Sequence, residues 1–157
     1  MNLYCSGILH QLHYAIDTVI EMLNTLETAD LNRRPTSHKS SVGELFIHLS
    51  MLCEADLKIG MGASFEEMEI FYATSKPPNT LPGIEQALRL HYSNLKYAVS
   101  LWTEEDLQQV TVSYWGVSYS RYEWLVETLA HFYHHRGQLH AMLVHALGKD
   151  PGILLFE

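Results

Sequence analysis

Residues 121–147, RYEWLVETLAHFYHHRGQLHAMLVHAL, decide how this chain folds. Leu125, Leu129, Phe132, Leu139, Met142 and Leu143 recur at the steps that put side chains on one buried face of a helix. The helix is stopped by GKDPG, where Gly148 and Pro151 end the pattern. Five of the chain's ten histidines fall within this segment, so facing must sort them. His131 and His135 are four residues apart and share the inward side, with His135 between Phe132 and Leu139. His134 lies about 100° round from His135, and His140 and His145 step off the face.

Three more segments carry the same periodicity. The first, about 2–28, places Leu9, Leu12, Ile16, Val19, Ile20 and Leu23 inward and must stop before Pro35. The second opens at Ser41, with Glu44 three residues on as a capping box. It carries Leu45, His48, Leu49, Leu52 and Asp56 on one face and ends near Gly60 and Gly62. The third, about 81–101, starts at Thr80 and presents Ile84, Leu88, His91, Tyr92, Leu95 and Val99. Residues 63–80 read as a connection with one helical turn, and Thr103 with Asp106 as the cap of another short turn. Around Gly116 the pattern switches to alternation, which predicts a long, partly extended connection before the last helix. These four helices predict an all-α four-helix bundle, one domain over residues 1–157.

Composition narrows the partners. The net charge is −8 with the acids dispersed, which argues against a nucleic-acid surface; the one basic cluster is Asn32 to Lys39, NRRPTSHK. No apolar run reaches the roughly 18 residues of a membrane span. The N-terminus is interrupted by His10, Gln11, His13 and Asp17, unlike a signal peptide, so a cytoplasmic location is expected. Cys5 and Cys53 sit in apolar patterns, as buried thiols of a reducing compartment do.

His48 is the only histidine of the second helix and lies on its inward face. Spacing alone leaves two readings for it and for the His131/His135 pair: hydrogen-bonded core histidines, or a set of three metal ligands with open positions for water or substrate. Neutral imidazoles suit a divalent transition metal, Zn, Ni, Cu or Fe, and the residues leave its identity open. His10 and His13, three apart on the first helix, form a poorer pair; His38 falls in a loop and His91 among the packing residues.

Two blocks, SSVGELFIHLSMLCEADL (40–57) and YSRYEWLVETLAHFYHHRGQLHAML (119–143), resemble the DinB/YfiT-like superfamily, whose members carry S-x-G-E-L-x-x-H-L and H-x-x-x-H-R-G-Q at these places. The similarity runs in order along nearly the whole chain, including Trp115-Gly116 before the last helix. The resemblance implies an up-down-down-up bundle, a divalent metal on His48, His131 and His135, and a homodimer. It also implies a metal-dependent enzyme, of the low-molecular-weight thiol S-transferase type or a hydrolase. There the ion would supply a nucleophile from a coordinated thiol or water to a small-molecule substrate. The competing reading is a non-catalytic stress or DNA-damage-response protein with a structural or vestigial metal.

Neighbours of these histidines carry expectations too. Glu44, four residues before His48, is a weak candidate for a general base, and the capping box explains it without a metal. Gly137 is expected to admit a neighbouring helix, Arg136 and Gln138 to bond across helices, and Gln138 to orient a ligand ring. Tyr114, Trp115 and Tyr119 are either an aromatic wall of the cleft or ordinary packing.

Overall fold

The structure is a computed structural model and describes residues 2–156. Its frame is four long helices, α1 (Leu3–Asn24), α2 (Val42–Gly60), α4 (Leu81–Ser100) and α6 (Arg121–Ala141). Two shorter ones intervene, α3 (Phe65–Ser75) and α5 (Glu104–Gln108). Side chains that accept backbone N–H bonds start each of them: Asn2, Ser41, Ser64, Thr80, Thr103 and Ser120. The inward residues expected for the first and third long helices are all buried.

Cross-helix contacts give the helix directions. Glu54 of α2 meets His91 and Asn94 of α4, while Gly43 faces Asn79 just before α4, so these two helices run the same way. His48 lies against His135 and Gly60 against Trp124, so α6 opposes α2. The Tyr92 hydroxyl donates to the Leu9 carbonyl, and Asn2 bonds Glu104, so α1 opposes α4. Tyr133 reaches Gln11 and Arg136 reaches Thr18, so α1 and α6 run together. The order is up-down-down-up, with α2 and α4 the two that point down.

Three boundaries depart from the sequence expectation. The first helix stops at Asn24 instead of reaching 28, because Glu27 and Asp30 cap each other and begin a separate 3₁₀ turn, Thr28–Asn32. Leu26 and Leu31 are buried there and turn the chain under the bundle. Residues 63–80 hold an eleven-residue helix where one turn was expected; Ser64 and Glu67 form its capping box. Only Met68 and Phe71 of α3 are buried, too thin a stripe for periodicity to register. The last helix keeps α geometry only to Ala141; Met142–Ala146 form a π turn closed by Leu147 N–H to Met142 O at 3.3 Å.

The alternating stretch is a two-stranded antiparallel ribbon, β1 (Val110–Val112) and β2 (Ser118–Ser120), with Thr111 opposite Tyr119. Two short strands hold only when something packs on them. Here it is Trp124, whose Nε1 donates to Thr111 O at 3.3 Å and whose ring meets Tyr119 and Trp115 at 4.9 and 6.1 Å. Trp124 in turn sits on Gly60: a Cβ there would lie 2.9 Å from the tryptophan Cβ. No helix among the described residues is long and apolar enough to cross a membrane.

Candidate metal centre

The Ser41 cap fixes where α2 begins, with Glu44 N–H to Ser41 Oγ at 3.1 Å and Ser41 N–H to Glu44 Oε2 at 2.9 Å. Burying Val42, Phe46 and Leu49 then sets the helix rotation that turns His48 toward α6. On α6 the buried Leu125, Phe132 and Leu139 do the same for His131 and His135. All three histidines are half-buried, and each offers a ring nitrogen within 4.8 Å of the others. The rings of His48 and His135 meet edge-on at 4.5 Å, and those of His48 and His131 lie 5.5 Å apart.

On His131 and His135 the nitrogen turned away from this meeting point is taken. His131 Nδ1 lies 3.0 Å from Asp56 Oδ2, and His135 Nδ1 lies 3.0 Å from Gln138 Oε1. An ionised carboxylate only accepts, so His131 Nδ1 carries a proton and donates it; bonded to the amide oxygen, His135 Nδ1 does the same. Each ring therefore presents Nε2, and the two Nε2 atoms face each other at 3.1 Å. Two lone pairs at that distance repel unless a proton or a metal ion lies between them. In a tetrahedral site with nitrogens about 2.1 Å from Zn, neighbouring ligands are about 3.4 Å apart, so the donor set fits such an ion. Among the described residues no fourth His, Cys, Asp or Glu joins the cluster.

The rings differ electrostatically. Burial, reinforced by His135 and His131, pushes His48 down to about 4, so it is neutral near pH 7. His131 is raised by the bond to Asp56, against the effect of burial. His135 is lowered, chiefly by burial, although the bond to Gln138 works the other way. Of the three rings, only His131 has its charged form favoured by its surroundings.

The three rings form one wall of a cleft of about 580 Å³, closed on other sides by Glu44, Leu45, Gln138 and Met142, with Pro35 and Lys39 at its rim. Glu44 reaches this cleft, but its oxygens are engaged by Arg34 at 2.8 and 2.6 Å as well as by the Ser41 cap. Arg34 first, then the Ser41 N–H, hold its carboxyl below the usual range. A carboxylate so engaged is a poor base.

The other candidates separate cleanly. His134 and His145 are exposed and His140 half-buried, none of them in the cluster. His13 stacks on Tyr92 at 5.4 Å and lies 3.6 Å from Asp17, and His38 is in an exposed loop. His91 is a core residue whose Nδ1 lies 2.7 Å from Glu54. Gly137 is exposed with nothing within 4 Å of a would-be Cβ, so it admits no neighbouring helix, contrary to the sequence expectation. Tyr114, Trp115 and Tyr119 do not wall the cleft; they gather around Trp124 and Phe65 near the start of α6. Arg136 does bond across helices: buried, it donates to Thr18 Oγ1 at 3.2 Å, with its guanidinium over Tyr133 and Phe156 at 4.2 and 5.1 Å. Sequence reasoning placed Asp56 on the inward face but gave it no task; the signal was an acid on an apolar stripe eight residues past His48.

The whole arrangement has counterparts among known proteins. The DinB family model matches residues 7–155. A DinB-family crystal structure from Exiguobacterium sibiricum 255-15 is similar over 99% of both chains, with 30% identity and a TM-score of 0.82. A DinB-like protein from Bacillus cereus ATCC 10987 shares the fold at a TM-score of 0.72 and 20% identity, over 95% of this chain and 97% of its own. None of the curated proteins matches the chain. With the family matched from end to end of the bundle, the chain belongs to the DinB family.

Proposed function

We propose that this chain binds one divalent transition metal, Zn or Ni, on His48, His131 and His135, and uses it as an enzyme. The proposed activity is a metal-dependent transferase of the low-molecular-weight thiol type, with hydrolysis as the variant in which water replaces the thiol. The observation that carries it is the pair of Nε2 atoms facing each other at 3.1 Å while both Nδ1 atoms are hydrogen-bonded. A bound ion would lower the pKa of a coordinated thiol or water and so supply a nucleophile at neutral pH. The chain's own residues do the rest. Asp56 and Gln138 hold two rings in the required tautomer, and His48 stays neutral through burial. The cleft leaves room beside the rings for a small second substrate. A closed structural zinc site takes a fourth protein ligand, and the cluster has none among the described residues.

Two measurements test this. Protein loaded with Zn or Ni is expected to hold one ion per chain, and His48→Ala, His131→Ala and His135→Ala to lose it; stoichiometric metal in all three variants would overturn the site. Conjugation of an electrophile with glutathione, cysteine, bacillithiol or mycothiol is expected to stop with chelator and in the same variants. Turnover indifferent to both would overturn the mechanism. Tight metal binding with no turnover of any thiol or ester would favour a non-catalytic metal-binding protein.

A further inference from the structure

The basic cluster singled out in the sequence, Asn32 to Lys39, has no part in the reading above, yet it sits at the mouth of the metal cleft. Pro35, Lys39 and Ser40 line that mouth. Of the chain's cations, Lys58, Arg89, Arg121 and Lys149 are each spent on an acid elsewhere. At the cleft the balance is reversed. Glu44 is the only acidic residue among its lining groups, and Arg34 already neutralises it through two short bonds. The Lys39 ammonium is exposed and meets no carboxylate among the described residues; only its backbone carbonyl is used, by Arg34. In a chain of net charge −8, surplus positive charge has thus been kept beside the three histidines.

We infer that the small molecule accepted here carries a carboxylate besides the atom it offers to the metal, and that Lys39 recognises that carboxylate. This rests on the metal-site reading above and adds to it a substrate charge and one specificity-determining residue. The interaction lies at a solvent-exposed rim, so it is worth a modest factor and is screened by salt, over a Debye length of about 10 Å at 0.1 M.

The test uses full-length protein loaded with Co(II), whose thiolate charge-transfer absorption reports a sulfur reaching the metal. Three probes differ in charge: mercaptosuccinate, 2-mercaptoethanol and cysteamine. At low salt mercaptosuccinate is expected to bind about two- to fivefold more tightly than 2-mercaptoethanol, with cysteamine weakest. Lys39→Gln should remove that preference while leaving 2-mercaptoethanol binding unchanged; 0.5 M NaCl should do the same. Lys96→Gln, in the second half of α4, should change nothing. A preference that survives Lys39→Gln arises from chelation at the ion and overturns the inference, as does equal binding of all three thiols. Those results leave metal binding intact. A protein that takes up no cobalt instead fails the underlying site reading, and this inference with it.

Discussion

The three imidazoles of the cluster hold protons unequally, because each ring has different neighbours. His48, pushed down to about 4 by burial, has no proton to lose near pH 7. His131 is raised by Asp56, so the proton between the facing Nε2 atoms belongs mainly to it. A metal must displace that proton. Apparent affinity is therefore expected to climb with pH until it passes the raised pKa of His131, with one proton released per ion below that point; calorimetry in buffers of different ionisation enthalpy measures this. Asp56→Asn should move the dependence to lower pH, and Asp56→Ala should weaken the metal by about 10- to 100-fold with the fold intact, read by chelator competition. At this scale the facing of His48, His131 and His135 was legible from spacing. The task of Asp56 was not, since a hydrogen bond between residues 75 apart depends on how two helices are rotated against each other.

Two glycines show what a helix asks of a residue with no side chain. Gly60 lies under Trp124, and a methyl there would meet the fixed Cβ and Cγ of the indole at 2.9 and 3.0 Å. Gly60→Ala is expected to cost about 1–3 kcal/mol and to loosen the ribbon packed on Trp124. Gly137→Ala meets only solvent and should stabilise α6 by about 0.5–1 kcal/mol through helix propensity. Urea midpoints for the two variants, moving in opposite directions, check both. The long helices were legible because their apolar stripes are wide. α3 was not, because it buries only Met68 and Phe71 and is started by its Ser64 cap more than held by a core. The end of α1 was missed because its apolar residues run on through Leu26, while the chain has already turned into the 3₁₀ segment capped by Glu27 and Asp30.

Across the whole molecule, the segment after α6 is tied back to the turn after α1. Lys149 Nζ lies 2.6 Å from Asp30 Oδ2, and the Tyr14 hydroxyl donates to Leu154 O at 3.1 Å. The Lys149 bond, then the Glu27 N–H, hold the Asp30 carboxyl below its ordinary value. A lowered carboxyl stabilises the fold above the unfolded pKa of about 3.9, and that contribution disappears as pH falls through the lower folded value. Asp30→Asn should therefore reduce stability at pH 7 and flatten its decline below pH 4, measured as thermal midpoints from pH 3 to 7. The bundle itself was legible from four periodic segments, and its up-down-down-up order came from family resemblance. Neither could say that the segment after α6 is tied to α1 and to the turn that follows it.

The up-down-down-up order also separates in sequence what it unites in space: the cluster draws on residue 48 and on residues 131 and 135, and on nothing in α1 or α4. No partly folded chain lacking a docked α6 can hold the ion in this way. On the proposed reading the ion favours the finished molecule alone, by an amount that grows logarithmically with its concentration. Where α6 docks late, that gain is absent from the folding barrier and falls wholly on the unfolding rate. Stopped-flow traces should then show metal slowing the escape from the native state while refolding proceeds at its metal-free speed. The histidines would act in time as well as in chemistry, as a latch that closes only after the last helix arrives.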